Sequence, residues 1–194
     1  VINTPVVGGL ILLSIVPFLF GLSINTLLPA YNTDILKGGP DDLGLLMTGM
    51  GGGAIIGSLA LAKMGEFRHK GRWLFITGIL WGAGVAWFAN ANTMFWALGG
   101  VAFVGLLSAI NMSMNRSVVQ LQVSQEMRGR VMSIDMMSHG LMPLGLLPIS
   151  WIAENYDVQL GLTVSGAVLA GLTAILWLIL KRVRRIDKGF KPIT

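Results

Sequence analysis

Cysteine is absent from the chain, which removes disulfides, thiolate metal ligands and cysteine nucleophiles together. Charge is scarce as well: Asp, Glu, Lys and Arg make up 12% of the 194 residues, against about a quarter in ordinary soluble domains. What fills the gap is apolar, 54% of the sequence, and it falls into long uninterrupted runs. No soluble core of this size needs that much apolar surface, so the composition defines an integral membrane protein. The formal net charge of +5 does not point to nucleic acid, because the basic residues punctuate apolar runs instead of forming a face on a soluble module. No basic stretch followed by a cleavage site opens the chain, so no signal peptide is read. Val1 stands where an initiator methionine is expected, and the chain is therefore expected to be part of something longer, or processed.

Six runs reach the ~20 residues needed to cross a bilayer core, near 5–30, 43–61, 73–91, 94–114, 131–153 and 158–180. The expected fold is an all-α membrane protein, a six-helix transmembrane bundle over 1–186 with a basic cytoplasmic tail at 181–194. Short connections make consecutive spans antiparallel neighbours. This parsing puts thirteen of the 14 basic residues on one side of the membrane and leaves only Lys37 on the other, beside Asp34, Asp41, Asp42, Glu154 and Asp157. The positive-inside rule then places the basic loops and both termini in the cytoplasm.

Span one holds Pro17, either a packing kink or a hinge whose freed carbonyl a neighbour must satisfy. Its Asn25 is a candidate substrate contact or an interhelical hydrogen bond. In span two, Gly49, Gly53 and Gly57 recur every four residues and form a smooth strip for close helix packing. They are no nucleotide loop, since no strand precedes them and no Lys-Ser/Thr follows. Spans three and six carry almost no polar groups beyond Thr, Ser and Gly, and are expected to face lipid. Trp73 and Trp96 fall near the membrane interfaces, whereas Trp81, Trp87 and Trp177 are expected to pack. Span four ends in Ser108, Asn111, Ser113, Asn115 and Arg116. Ser108, Asn111 and Asn115 share a face that either lines a watery cavity or bonds a neighbouring helix, and Arg116 can snorkel to the headgroups.

The stretch Gln120–Gly145 concentrates the chemistry. Its polar opening carries Glu126, Arg128 and Arg130, and its apolar continuation holds Asp135 and His139, one helical turn apart. Charge inside a membrane span is costly and marks function by default. Imidazole titrates nearest working pH and a neighbouring carboxylate tunes it, so the pair is a candidate proton carrier. A fixed hydrogen-bonded pair is the alternative, as is neutralisation of Asp135 by Arg116 or Arg130 at a cytoplasmic gate. Pro143, Gly145 and Pro148 would bend the helix or let it flex.

Two segments resemble the major facilitator superfamily, specifically its C-terminal six-helix half. Gln120, Glu126 and Arg128-Gly129-Arg130-Val131, with the run from Pro143 to Gly145, are spaced as in the branch of enterobactin-exporter-like and macrolide-efflux-like permeases. Gly57–Arg72, GSLALAKMGEFRHKGR, is similar to the glycine-and-basic loop between paired helices, which brings Arg68 and Arg72 into the candidate gate. Leu61 stands where that loop often carries Asp, and Ser124 where many relatives carry proline. The resemblance implies a rocker-type transporter with a second six-helix half, either a missing N-terminal half or a second copy. Substrate would bind between the halves, with spans one, two, four and five at the cavity or interface and three and six toward lipid.

The function expected is secondary-active efflux of a small molecule such as a drug or siderophore, driven by proton exchange, with no cofactor. A non-transporting six-span subunit or degenerate half is the alternative. An intramembrane protease is set aside, because neither a Gly-x-Ser-x-Gly serine nor a Gly-x-Gly-Asp aspartate surrounds Ser138, His139 or Asp135.

Overall fold

In a computed structural model of the chain, the described residues are 5–64, 69–122, 129, 133, 137 and 140–184. Span one is built from α1 (Pro5–Val16), a π-helical turn (Pro17–Gly21) and α2 (Ser23–Asp34). Spans two, three and four are α3 (Pro40–Met64), α4 (Lys70–Ala89) and α5 (Met94–Gln122). Positions 129, 133 and 137 are helical, and α6 (Met142–Asn155) completes the described part of span five. Span six is α7 (Val158–Ile179), followed by the short α8 (Lys181–Arg184). Among the described residues, five helices are long and apolar enough to cross a membrane: Gly8–Asp34, Pro40–Lys63, Lys70–Ala89, Met94–Gln120 and Val158–Ile179.

Several helices outrun the apolar stretches that announce them. The α5 helix continues to Gln122 and α3 begins at Pro40, because backbone hydrogen bonding persists into the headgroup layer after the apolar side chains stop. The tail expected from 181 also begins as a helix, with Val183 buried. A Cβ at Gly71 would run into the Val183 carbonyl, so this turn is docked on the bundle.

Helix contacts follow glycine. A side chain at Gly53 or Gly57 would collide with the carbonyls of Ala102 and Leu106, and one at Gly105 with that of Met50. Gly49, Gly53 and Gly57 meet Leu98, Ala102 and Leu106 in rising order, so α3 and α5 run parallel with their backbones touching. A second seam joins spans three and six. Gly82 meets the Gly166 carbonyl at 2.5 Å and Gly166 meets the Gly82 carbonyl at 2.5 Å, measured from where a Cβ would stand, and Gly78 faces Thr173. Here the positions run oppositely, so α4 and α7 are antiparallel. Spans four, three, six, five and one close a ring of contacts, and span two lies outside it against span four.

Span three is therefore more enclosed than its uniform apolarity announces. Fully 56% of its most apolar stretch is buried, against 17% in span two. Only a stripe through Trp73, Leu80 and Trp87 stays exposed. Lipid and a neighbouring helix are equally apolar, so apolarity alone cannot tell one from the other. The informative signal is the spacing Gly78-Gly82-Ala86 opposite Gly166-Ala170, the same rule that marks span two. Span six keeps an exposed face through Leu160, Ile175 and Leu178, and buries Leu162, Ser165, Gly166, Leu169 and Thr173. Trp81 is buried against Gly21, Trp87 packs on Trp96 and Phe103, and Trp177 stands edge-on to Phe75 with Arg184 over its ring.

If the first seam holds spans two and four together, Gly53→Ala forces a methyl onto the Ala102 backbone. It is expected to cost about 1–3 kcal/mol, the usual range for overpacking, read as a lower thermal unfolding midpoint of the purified protein. Gly51→Ala, at a position with open space around it, is expected to leave the midpoint unchanged or raise it.

Candidate functional site

Span one bends where Pro17 removes a backbone donor. The ladder there widens to a π turn, with the Leu22 N–H reaching the Pro17 carbonyl at 3.2 Å. Two buried hydroxyls serve this turn. Ser23 Oγ lies 2.7 Å and Ser165 Oγ 2.6 Å from the Phe20 carbonyl, each placed to donate to it, and the hydroxyls are 2.6 Å apart. Ser165 comes from span six, so the neighbour that satisfies the bend belongs to a helix whose polar residues looked incidental. At its other end span one is fixed by Tyr31. The Tyr31 hydroxyl sits 2.8 Å from the Phe88 carbonyl and 2.6 Å from that of Ala91, placed to donate to the last turn of α4 and to the second residue past its end.

Span four is tied by Asn111, only 3% exposed. Its Nδ2 donates to the Leu74 carbonyl at 2.8 Å and to Thr77 Oγ1 at 2.9 Å, both on span three. Of the two readings of this polar face, the interhelical bond describes Asn111. Ser108 turns back on its own helix, its Oγ donating to the Gly105 carbonyl at 2.9 Å. Asn115, one turn past Asn111, is 4% exposed, and its Oδ1 has no partner among the described residues. Arg116 is exposed and borders a cleft of about 10 Å³ with Ser14, Pro17 and Asn111, room for one water at most.

Asn25 behaves differently. It is exposed on α2 beside exposed Thr26 and Pro29. It lies about 6 Å along the helix from the middle of its span at 1.5 Å per residue. An amide so deep cannot be left to lipid without cost, so this face of span one adjoins water or another helix. Span five carries a similar uncovered stripe, Gly129, Ser133, Met137, Gly140, Leu144, Pro148 and Trp151, at intervals of three and four. Span two adds Thr48, Gly51, Ile55 and Leu59. Spans one and five touch behind these faces, where a Cβ on Gly145 would strike the Leu19 carbonyl.

The remaining candidates divide in two. Arg72 is exposed in the first turn of α4. Arg68, Glu126, Arg128, Arg130, Asp135 and His139 lie outside the described residues. Sequence reasoning missed Ser23, Ser165, Thr77 and Tyr31 as structural polar groups; the signal available was a hydroxyl inside an apolar span.

The described helices thus form a bundle with one flank closed by glycine seams and another uncovered. Residues 10–193 match the Major Facilitator Superfamily, and the chain belongs to that family. It is 29% identical over 167 residues to a staphyloferrin A transporter of Staphylococcus aureus, covering 84% of this chain and 41% of the relative. In fold it is similar to the POT family transporter PepTSo, with a TM-score of 0.76 at 15% identity, covering 97% of this chain and 39% of that one. The chain thus spans about two fifths of the length of both of these proteins.

The Asn111–Thr77 contact is testable by a double-mutant cycle. Asn111→Ala and Thr77→Ala are expected to couple by about 0.6–1.7 kcal/mol, the range for interhelical hydrogen bonds in membranes, in reversible unfolding from mixed micelles. Strict additivity would remove the bond from the account.

Proposed function

We propose that the chain is one six-helix half of a secondary-active transporter that exports a small molecule in exchange for protons. The observation that carries this reading is the uncovered, partly polar flank formed by spans one, two and five, in a chain whose other spans are sealed against one another. A second half, either preceding this one in a longer protein or contributed by a second copy, closes over that flank. Substrate then binds between the halves near the midplane, with Asn25 as its contact from this side, and rocking exposes it alternately to each face. Membership of the superfamily and the likeness to a staphyloferrin A transporter support a siderophore-like or drug-like cargo.

The basic end of the bundle faces the cytoplasm of a bacterial-type inner membrane. Lys63, Lys70, Arg72, Arg116, Lys181 and Arg184 gather there, at the helix ends joined by the Gly71–Val183 contact, and Asp34, Asp41, Asp42 and Asp157 lie at the opposite end. Cytoplasmic loops of membrane proteins carry such an excess of Lys and Arg. Asp135 and His139 carry the proton on span five. A protonated pair favours one orientation of the halves and a deprotonated pair the other, while Arg68, Arg72, Arg116, Glu126, Arg128 and Arg130 form the cytoplasmic gate.

The test is export driven by an imposed pH gradient in vesicles containing the full-length protein. Asp135→Asn and His139→Gln are each expected to lower it about fivefold or more, the low end of a coupling free energy between two sites. If both variants export as the parent does, the pair is structural and the coupling reading is wrong.

A further inference from the structure

A groove of about 340 Å³ opens between spans two, three and four at the basic end of the bundle. Its polar wall is made of Ser58 on α3, Ser113 and Ser117 on α5, and Lys70 at the start of α4, over a floor that includes Met114 and Val118. Ser58 adjoins Leu59 on the exposed face of span two, and none of the six lies on span one or span five.

The hydroxyls are the informative part. Serine and threonine in membrane helices ordinarily turn back on their own backbone, as Thr48, Thr77, Ser108, Thr163 and Thr173 do here. Ser58, Ser113 and Ser117 make no hydrogen bond among the described residues, and Lys70 makes no ion pair among them. Ser113 and Ser117 are four apart on α5 and so share a face. Ser58 follows Gly57, where α3 touches the α5 backbone at Leu106, which brings the third hydroxyl to the same groove. The described lining holds three hydroxyl donors, one ammonium and no carboxylate.

We infer that this groove binds a phosphate group, taken either from an anionic phospholipid headgroup or from free phosphate. A phosphate offers several acceptor oxygens and at least one negative charge, which matches three hydroxyls and an ammonium set around one space. Lys70 supplies the charge and the serines orient the oxygens. The apolar floor leaves room beside the phosphate for the glycerol end of a lipid. Basic pockets between helices at the cytoplasmic side recognise headgroups by this chemistry. The site is independent of the transport reading, since it uses none of the residues assigned to substrate, proton or gate.

The test is native mass spectrometry of the purified chain released from detergent, titrated with phosphatidylglycerol and, separately, with inorganic phosphate as competitor. The parent is expected to hold one phosphatidylglycerol that survives activation. Lys70→Gln and the double variant Ser113→Ala/Ser117→Ala are each expected to weaken that binding about tenfold, of the order of one hydrogen bond to a charged group. Lys181→Gln, an equal loss of charge elsewhere at the basic end, is expected to leave it unchanged. Displacement of the lipid by millimolar phosphate identifies the free ion as ligand, and resistance to it identifies the headgroup. Parent-like binding in both Lys70→Gln and the serine variant overturns the proposal, as does an equal loss in Lys181→Gln, which would mean general surface attraction. Unfolding midpoints measured alongside separate lost binding from lost fold.

Discussion

Backbone-to-backbone contact at glycine is what this bundle depends on. Inside lipid an apolar side chain gains nothing by leaving acyl chains for another helix, so association rests on close packing and on the few hydrogen bonds that close packing permits. The Gly53–Ala102 and Gly82–Gly166 approaches supply the packing. Within the scaffold these seams set, Asn111 reaches from span four to the Leu74 carbonyl of span three and Ser165 from span six to the Phe20 carbonyl of span one. The first joins consecutive helices and the second joins the first span to the last, and each fixes how its helices are rotated and how far they slide along one another.

The same logic sorts the polar residues. Those at the seams are engaged with neighbouring backbone or with one another. The side chains of Asn25 and Thr26 on span one make no hydrogen bond among the described residues and sit on a face that no other described helix covers. A polar group exposed at that depth has to be met by water or by further protein. The division between engaged and unengaged polar groups separates the flank closed by packing from the flank left uncovered. The π turn at Pro17 lies on the helix that shares both: its back is held by span six and its front is open.

Much of the architecture was legible in the sequence because lipid is an unforgiving solvent. The lengths of the apolar runs and the sorting of charge by loop gave six spans and their alternation, and the motif around Arg128–Val131 gave the family. Span three is more enclosed than its apolarity announces, since apolarity is blind to the difference between lipid and helix, and the Gly78-Gly82-Ala86 spacing marks its seam; span six keeps the exposed face expected of it. Asn111 remained ambiguous for a related reason: the same amide suits a watery cavity and an interhelical bond, and the choice depends on whether Thr77 stands opposite, which one helix cannot reveal about another. The bend at Pro17 was legible; the identity of its partner, Ser165, lying 145 residues from Phe20, was not.

The most direct measurement of the central claim, that the flank bearing Asn25 opens to a watery cavity while the stripe of span three bearing Leu80 meets lipid, exploits the absence of cysteine from the chain. Single Asn25→Cys and Leu80→Cys variants, in full-length protein free of other cysteines, would be exposed to a membrane-impermeant maleimide in intact membranes. Rapid labelling at position 25, slowed by transported substrate, with none at position 80, is the result expected. Labelling at neither position, or equally at both, would contradict the assignment of that flank.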